Sequence, residues 1–423
     1  MRGLLVTPDC DLDRRHAPLI HLCMMSDTKN ESMGQVLRKP SPISLRPPIH
    51  LLLDWDSTLT THDTLSLVAA IGYTNHENNP KSTPLPPWTK ISEAYSADFK
   101  RHEENYRPRR EERRNLQEEL RWLESLRGVE RASVERVERT GVFRAVRGCD
   151  VESAARAAVV GGGVRLRPGW ARLLELVEEG GGMSAVVSVN WSARFVRACL
   201  EYACELEKTG EEREGARAVV MGMKVMANEI EGLDTVEGGS GRLSRYLEDE
   251  GGIWTAEDKG RVVRELIGEE VFPVEGERNK EQGLSTDRSG DESFACGSED
   301  TAVETPEAPS RRYAQTVYVG DSVTDLECLM LVDVGICVRD EPLGSGQGAL
   351  KEVLERLGVE CKWIGEVGDL RRNCSGLAAL SNGTKHGLWW ARNFEEIHNS
   401  PLFSNPAGKL QQHISDPTRN PEL

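Results

Sequence analysis

The sequence predicts an α/β fold in which a Rossmann-like parallel sheet has helices on both faces and carries an inserted α-helical cap. Short apolar runs that fit buried strands alternate with segments of helical periodicity along much of the chain. One long stretch, from about 91 to 160, shows helical spacing alone. Carboxylates and hydroxyls follow directly after the apolar runs, and functional sites form at the carboxyl ends of parallel strands.

The sequence of residues 1–88 predicts a leader, one strand, one helix and a loop. Residues 1–46 of the 423-residue chain are polar and punctuated by proline, and we expect a flexible leader there. The apolar run at 49–53 is cut off by polar residues and fits a buried parallel strand. A helical segment follows at about 65–71, and residues 74–88 are loop-like because they are rich in asparagine and proline.

The range 74–160 is predicted to be the cap. From about residue 91 its apolar residues recur at helical spacing among many arginines and glutamates, and no strand signal interrupts them. We expect this segment to close over the site, to exclude water and to read the leaving group. Its arginines could contact an anionic substrate, although such runs more often form a solvated helix face. Examples are Arg109, Arg110, Arg113 and Arg114.

Strands and helices alternate again after the cap, so we assign 47–73 and 161–370 to the α/β core. The expected helices are at about 168–178, 191–206, 256–267 and 323–331. The expected strands are at 184–189, 316–319 and 334–338, with further strand-like runs between 218 and 230. Thr255 stands directly before the helix at 256–267 and is a suitable N-cap.

Two further segments lack a strong periodic pattern. Residues 274–311, inside the core range, are dominated by Glu, Asp, Ser, Gly and Pro, and we predict an acidic disordered linker there. Residues 371–423 are predicted to be a tail that is partly docked or disordered. The apolar stretch at 387–394 is the part of this tail that could dock.

The charge of the chain argues against some classes of partner. The formal net charge of -16 disfavours nucleic acid and an anionic membrane as the main partner, because both attract a basic surface. An anionic substrate is still allowed, since a bound metal can invert the local sign of charge. The sequence does not indicate an oligomeric state.

The chain is expected to be cytoplasmic. No apolar run approaches the roughly 20 residues that a membrane-spanning helix needs. The N-terminus fits neither a signal peptide nor a transit peptide, because its apolar patch is short and aspartates follow closely. The 10 cysteines are scattered without a CxxC pair, which indicates reduced cytosolic thiols rather than disulfides or a zinc site.

The first chemical motif is Asp54-Trp55-Asp56-Ser57-Thr58, directly after the first predicted strand. Two carboxylates at this spacing can divide the work of phosphate transfer: one attacks phosphorus while the other gives a proton to the leaving oxygen. Ser57 and Thr58 can supply small side chains and backbone N–H groups near a phosphate. The alternative interpretation of this motif is a turn that is capped by its aspartates.

The second motif is Gly320-Asp321-Ser322-Val323-Thr324-Asp325, directly after the run at 316–319. One of its two carboxylates can bind a hard cation and the other can hold the cation or its waters, as Mg²⁺ prefers. Carboxylates crowded at one edge of a sheet would repel each other strongly without a cation. The alternative is that both are ordinary acidic residues at a helix N-terminus.

Two further positions could contact the phosphoryl group. The hydroxyl of Ser188 follows a predicted strand and can donate to a phosphoryl oxygen, with Asn190 as a second donor. Lys259, in the first turn of the helix at 256–267, can bridge the nucleophilic carboxylate and the phosphoryl group. A solvated surface lysine is the alternative. Lys224 is a rival candidate, but it lies beside strand-like residues rather than at a helix start.

In this order, the elements resemble the motifs of the haloacid dehalogenase (HAD) superfamily over about residues 49–365. The matching features are DxDxT at 54–58, a strand-end serine, a helix-start lysine and GDxxxD at 320–325. Finer features resemble the phosphoserine-phosphatase-like branch, namely DxDST at 54–58, a GDxxTDxE-like stretch at 320–327 and a helical cap after the first motif. The resemblance implies Mg²⁺ as the cofactor and an aspartyl-phosphate intermediate.

The resemblance implies a role for each carboxylate. Asp54 would be the nucleophile and a Mg²⁺ ligand. Asp56 would be the general acid and then the general base, with its backbone carbonyl on the metal. Asp321 would bind Mg²⁺, and Asp325 would bind it or support it from behind. Asp63 stands where phosphoserine phosphatases have a glutamate that reads the substrate, so it is a candidate for substrate contact.

The resemblance also assigns Ser188 and Lys259 to the phosphoryl oxygens, but the chain departs from the branch at two places. It has Ser188-Val189-Asn190 where phosphoserine phosphatases have Ser-Gly-Gly, and Asp63 is shorter than the expected glutamate. These departures argue against phosphoserine as the substrate. The sequence predicts a Mg²⁺-dependent phosphomonoester hydrolase that acts on a small phosphorylated metabolite. The alternatives are a catalytically silent HAD-fold binding or regulatory protein and a phosphotransferase to an acceptor other than water.

Overall fold

The computed structural model describes residues 47–79, 84–207, 210–244, 252–268, 314–366 and 387–403. The predicted leader at 1–46 and the predicted acidic linker at 274–311 lie outside these residues, as do 371–386 and 404–423 of the predicted tail. The division of the chain into leader, core, cap, linker and tail stays a prediction. None of the helices in the described ranges combines the length and the apolarity that crossing a bilayer requires.

A parallel sheet of seven strands organises the described residues. In chain order the strands are β1 (Ile49–Leu53), β2 (Met183–Val187), β3 (Lys224–Met226), β4 (Glu229–Ile230), β5 (Leu243–Ser244), β6 (Gln315–Gly320), β7 (Val334–Val338), β8 (Glu360–Trp363) and β9 (Gly387–Ala391). The sheet has the order β3-β2-β1-β6-β7-β9-β8, and every adjacent pair in it is parallel. Strands β4 and β5 form a separate antiparallel pair. The predicted α/β fold with a parallel sheet is confirmed.

The helices connect these strands and build the segment between β1 and β2. They are α1 (Leu65–Glu77), α2 (Trp88–Asn105), α3 (Leu116–Ser125), α4 (Arg127–Thr140), α5 (Gly148–Val160), α6 (Trp170–Glu179), α7 (Ala193–Glu207), α8 (Gly210–Gly222), α9 (Ala256–Ile267), α10 (Leu326–Leu331), α11 (Ser345–Leu357) and α12 (Phe394–His398). Helices α2 to α5 fall within the range predicted for the cap. Single 3₁₀ turns occur at Arg110–Glu112, Val323–Asp325 and Ile364–Glu366.

Two segments differ from the predicted pattern. The apolar residues at 218–222 end helix α8 instead of forming a strand, because Ala216 and Val220, four residues apart, are buried on one helix face. The predicted helix at 323–331 is divided into a 3₁₀ turn and α10, since Asp325 accepts hydrogen bonds at the start of this segment. The stretch at 387–394 forms β9 and the first residue of α12, and β9 lies inside the sheet.

Both faces of the sheet are covered by helices. Successive strand residues point to opposite faces, so Leu51 and Leu53 of β1 belong to one buried apolar cluster, together with Phe195 of α7. Leu52 belongs to a second buried cluster, together with Val262 of α9. Burial on both faces explains why the strands have continuous apolar sequences rather than alternating ones.

The helices between β1 and β2 pack into both of these clusters. Val137 and Val151 belong to the first cluster, and Trp122 and Leu123 of α3 belong to the second. The segment predicted to be a cap therefore shares its buried apolar side chains with the sheet and with the helices that flank it.

Charged groups add to the contact between this segment and the core. Glu119 of α3 accepts hydrogen bonds from Arg113 at 2.8 Å and from Arg356 of α11 at 2.9 Å, and the carboxylate and both guanidinium groups are almost fully buried. Arg127 at the start of α4 forms an ion pair with the buried Asp258 of α9 at 3.0 Å. These contacts connect α3 and α4 to α11 and α9.

The sheet has a topological switch point between β1 and β6. The chain runs from β1 outward to β2 and β3 on one side, and later from β6 outward to β7 on the other. Leu53, the last residue of β1, pairs with Val319 of β6, and Asp54 donates its backbone N–H to the Val319 carbonyl at 2.9 Å. The residues that follow β1 and β6 therefore lie side by side at the carboxyl edge, where open α/β sheets bind ligands.

Candidate active site

The loop after β1 curls tightly around Asp54. Leu59 donates its backbone N–H to the Asp54 carbonyl at 3.3 Å, and Thr60 does the same to the Trp55 carbonyl at 3.0 Å. The turn requires Ser57 to adopt the left-handed backbone conformation, with a φ of 59°. The Thr60 hydroxyl oxygen accepts the Ser57 N–H at 3.1 Å and so helps to hold this turn.

Lys259 is the cation that lies against the nucleophile candidate. Its side chain is 0% exposed, and its Nζ donates to Asp54 Oδ1 at 2.7 Å and to Asp325 Oδ1 at 2.8 Å. The lysine lies in the first turn of α9, where the Thr255 hydroxyl accepts the Asp258 N–H at 3.3 Å. The predicted N-cap is therefore present, and it fixes the helix start from which Lys259 reaches the site.

Both carboxylate oxygens of Asp325 accept hydrogen bonds from neighbouring groups of the site. Its Oδ1 accepts the Tyr318 hydroxyl at 2.8 Å in addition to Lys259. Its Oδ2 accepts the backbone N–H groups of Asp321 at 3.1 Å and Ser322 at 3.0 Å. This arrangement suits a residue that orients its neighbours more than one that offers an open oxygen to a ligand.

A group of three buried carboxylates could hold a metal ion. Asp54, Asp321 and Asp325 each offer an oxygen, and these oxygens all lie within 4.8 Å of one another. The Thr58 hydroxyl bridges two of them, at 3.2 Å from Asp321 Oδ1 and 3.5 Å from Asp54 Oδ2. One lysine charge does not balance three carboxylates, and oxygen donors are the ligands that Mg²⁺ prefers. The donor set therefore fits Mg²⁺, and Asp54 and Asp321 have the less engaged oxygens.

The crowding of these groups shifts their proton affinity. Burial, followed by the charge of Asp325, raises the pKa of Asp54 well above its usual range, although Lys259 opposes the shift. The same two causes raise the pKa of Asp321 to about 7. A divalent cation would favour the ionised form of both groups.

Asp56 has a separate environment although it stands only two residues from Asp54. Its Oδ1 accepts the Thr64 N–H at 2.7 Å and the Thr64 hydroxyl at 2.6 Å, and its Oδ2 accepts the Asn190 amide at 3.0 Å. Burial raises the pKa of Asp56, although the hydrogen bonds from Thr64 and Asn190 oppose this. A carboxyl group that is fixed in direction and has a raised pKa suits a general acid.

The other residues that the sequence predicted for the site differ in burial and in the partners that they contact. Ser188 is fully buried, and its hydroxyl oxygen accepts the Asn190 N–H at 3.1 Å. Asn190 contacts Asp56 and Thr64, which makes it a neighbour of the acid candidate.

Asp63 is exposed and accepts the Leu65 N–H at 2.8 Å. The rival Lys224 is exposed at the start of β3. That the Asp56 backbone carbonyl binds metal stays a prediction.

Three residues that the sequence analysis did not select take part in the site. Tyr318 and Thr64 contact Asp325 and Asp56, as described above. Arg167, between α5 and α6, donates to the backbone carbonyls of Ser57 and Thr58. Tyr318 was hidden inside an apolar run and Thr64 before a helix, where threonine is common as a cap. Arg167 stands directly before a Pro-Gly turn, and nothing else near it in the sequence marks it as a site residue.

We expect Mg²⁺ to raise the thermal unfolding midpoint more at about pH 8 than at about pH 5. Asp321 has a folded-state pKa near 7, above its ordinary value of 3.8. Between these values the metal-free folded protein binds more protons than the unfolded chain, so its stability falls as pH rises. Mg²⁺ offsets this loss because it binds the ionised carboxylates. Thermal unfolding with Mg²⁺ or chelator measures the effect.

The control for this measurement is Asp321→Asn, which removes the titrating group. The variant should lose most of the pH dependence of the Mg²⁺ effect. Equal Mg²⁺ shifts at the two pH values in the unsubstituted protein would contradict the proposed ligand set.

The chain resembles several solved structures, although its sequence is far from theirs. No protein-family model matches the chain, and no curated protein matches it. A phospho-aspartyl intermediate analogue of phosphoserine phosphatase is 13% identical, with a TM-score of 0.33, and the match covers 74% of this chain and 91% of that chain. A substrate-bound phosphoserine phosphatase complex is 13% identical, with a TM-score of 0.35 and coverages of 74% and 99%.

A HAD family hydrolase from Salmonella enterica subsp. enterica serovar Typhi is 11% identical, with a TM-score of 0.35, and the match covers 70% of this chain and 65% of that chain. The solved structures to which this chain is similar thus include HAD-family hydrolases and phosphoserine phosphatases. Likenesses this low in identity and TM-score carry no argument about function. The α/β fold class is shown by the seven-stranded parallel sheet itself.

Proposed function

We propose that this protein is a Mg²⁺-dependent phosphomonoester hydrolase of the HAD type that works through an aspartyl-phosphate on Asp54. One observation carries the proposal: two buried carboxylates two residues apart have different partners at the switch point of the sheet. Asp54 lies among carboxylates with Lys259 Nζ at 2.7 Å, whereas Asp56 is held apart by Thr64 and Asn190. Such a pair can provide a nucleophile and an acid in one reaction.

In the first step a carboxylate oxygen of Asp54 forms a bond to phosphorus while the bond from phosphorus to the leaving oxygen breaks. Asp56 gives its proton to that oxygen, and its raised pKa favours the protonated form at the start. Lys259 offsets negative charge beside the attacking carboxylate. Mg²⁺, held by Asp54 and Asp321 with Asp325 behind them, would supply charge stabilisation to the phosphoryl oxygens.

In the second step water attacks the phosphorus of the aspartyl-phosphate. Asp56, now ionised, accepts a proton from this water, and the bond from phosphorus to Asp54 breaks. Inorganic phosphate leaves, and both carboxyl groups return to their starting states. The hydrogen bonds from Thr64 and Asn190 hold the Asp56 carboxylate in one direction for both proton transfers.

The substrate is proposed to be a small phosphorylated metabolite in the cytoplasm. The exposed carboxylate of Asp63, seven residues after Asp56, is a candidate for contact with the leaving group. Ser188 and Lys259 are proposed to contact phosphoryl oxygens, together with backbone groups of Ser57 and Thr58. Phosphoserine is disfavoured because Asn190 stands where phosphoserine phosphatases have glycine.

The test is an assay of the purified full-length chain on a panel of small phosphomonoesters, with Mg²⁺ and with chelator. Phosphate release that needs Mg²⁺ is the expected result. Release that is unaffected by chelator would contradict the metal site. Silence across the panel from a folded chain that binds Mg²⁺ would favour a non-catalytic HAD-fold protein. Transfer of the phosphoryl group to an added alcohol instead of water would identify a phosphotransferase.

A further inference from the structure

Arg167 is buried at the carboxyl edge of the sheet and contacts the nucleophile loop through its backbone. The side chain is 4% exposed. Its Nη2 donates to the Ser57 carbonyl at 2.8 Å, and its Nε donates to the Thr58 carbonyl at 3.0 Å. One guanidinium group therefore binds two successive carbonyls of the loop that begins at Asp54.

Binding two successive carbonyls fixes two peptide planes, because each peptide unit is rigid. The plane that contains the Thr58 carbonyl also contains the Leu59 N–H, and this N–H donates to the Asp54 carbonyl at 3.3 Å. The other plane joins Thr58 to Ser57, which has a φ of 59°. A serine in this left-handed conformation persists only where its surroundings hold it, and Arg167 is part of those surroundings.

The same guanidinium group is held in turn by a carboxylate. Asp340, in the loop after β7, binds Arg167 in two places: Nη1 to Oδ1 at 2.5 Å and Nη2 to Oδ2 at 2.9 Å. Gln347 of α11 holds Asp340 by donating to its Oδ2 at 2.7 Å and accepting its N–H at 2.7 Å. The planar fork of arginine suits this bidentate contact, and lysine has no equivalent geometry.

We propose that Arg167 is a positioning residue that holds the nucleophile loop in its reactive shape by clamping the Ser57 and Thr58 carbonyls to Asp340. This inference rests on the proposed function, since it assigns the loop a task in the same reaction. Arg167 acts through Thr58, whose hydroxyl contacts both Asp54 and Asp321. The clamp joins the loops after β1 and β7, which lie on either side of β6 in the sheet.

The kinetic test uses Arg167→Lys, Asp340→Asn and the double variant. Arg167→Lys keeps the charge but loses the fork, and we expect kcat per folded molecule to fall about 10- to 100-fold with KM changed less than about threefold. Asp340→Asn should lower kcat by about 3- to 10-fold. The kcat of the double variant should be no lower than that of Arg167→Lys alone, because both substitutions break the same clamp. Circular dichroism gives the folded fraction of each variant.

Arg172→Lys is the matched control, since this arginine lies on the neighbouring helix α6 and pairs with Glu175 and Glu179 at the surface. It should keep the wild-type kcat. A folded Arg167→Lys with wild-type kcat, or effects of the two single variants that multiply fully in the double variant, would overturn the proposal. If Arg167→Lys does not fold, Asp340→Asn decides, because asparagine keeps the size of the Asp340 side chain, which is 38% exposed.

Hydrogen exchange separates this inference from the proposed function. In wild type, the amides of Ser57, Leu59 and Thr60, which donate hydrogen bonds within the loop, should exchange slowly. Both Arg167→Lys and Asp340→Asn should speed their exchange at least about tenfold. The Arg172→Lys control should not. Unchanged exchange would overturn the clamp whether or not the protein is a phosphatase. A wild-type chain that is inactive on every substrate but shows the exchange effect would contradict the proposed function alone.

Discussion

Replacing Asp54 by asparagine will lower kcat by at least about 10⁴-fold. An amide oxygen is a poor nucleophile, and its attack on phosphorus would not give an acyl phosphate. Asparagine has the size of aspartate, so the buried site keeps its shape, and the loss is chemical rather than structural. Steady-state assays with the best substrate of the panel measure the change.

Acid quenching offers a second readout of the same variant. Mass spectrometry should detect a phosphorylated chain from wild type and none from Asp54→Asn. Asp234→Asn is the matched control, because it makes the same chemical change at a side chain that is 81% exposed and has no part in the site, so it should allow phosphorylation. An Asp54→Asn variant that retains more than about a tenth of the wild-type kcat would exclude Asp54 as the nucleophile.

Replacing Lys259 by methionine should have two large effects. It should lower kcat about 10²- to 10³-fold, because a preorganised cation beside the reacting groups is lost. It should also lower the free energy of unfolding by about 3–5 kcal/mol at neutral pH, since the substitution leaves the buried carboxylates of Asp54 and Asp325 without their ion-pair partner. Assays and chemical denaturation, both with chelator and with Mg²⁺, measure the two effects.

The pH dependence of this variant gives a further check. In wild type, the charges of Asp325 and Asp54 outweigh the effect of burial and raise the pKa of Lys259, so the lysine stays charged at every working pH. Its contribution is lost only as pH rises above its unfolded-state pKa. The stability gap between wild type and Lys259→Met should therefore shrink at acidic pH, where Asp54 in the variant becomes protonated.

Lys351→Met is the matched control for charge removal, because Lys351 is a half-exposed residue of α11 that pairs with Glu355. Its unfolding free energy should change by less than about 1 kcal/mol. A Lys259→Met variant as stable as this control, at neutral pH and without Mg²⁺, would contradict the charge balance inferred for the site.

The strands that carry the site could be predicted because their apolar runs are short, continuous and followed at once by carboxylates. Asp54 and Asp321 each stand at the end of such a run, and Lys259 follows a recognisable N-cap. Their meeting at one edge depends on β1 pairing with β6, a contact between residues more than 250 positions apart. A motif shows which side chains have the right chemistry, whereas the strand order decides which of them meet.

Other features could not be predicted because their cause lies far away in the chain. Strand β9 enters the sheet between β7 and β8, against the chain order, and only its partners fix that place. Arg167 acts on the loop after β1 through backbone carbonyls, which have no residue-type signature. Asn190 was selected from the sequence as a phosphoryl donor, but its contact with Asp56, which is 134 positions away, could not be predicted.

The packing of Trp122 and Leu123 against the core affects how easily α3 can move away from the sheet. Both side chains belong to the cluster that also contains Leu52 of the sheet, so a swing of α3 away from the core would expose them to water. Burial of side chains of this size contributes about 1.5–3 kcal/mol each, which limits the open form to about one molecule in 10²–10⁴. For a substrate that enters only when α3 moves away, the frequency of these openings would set the upper limit of turnover.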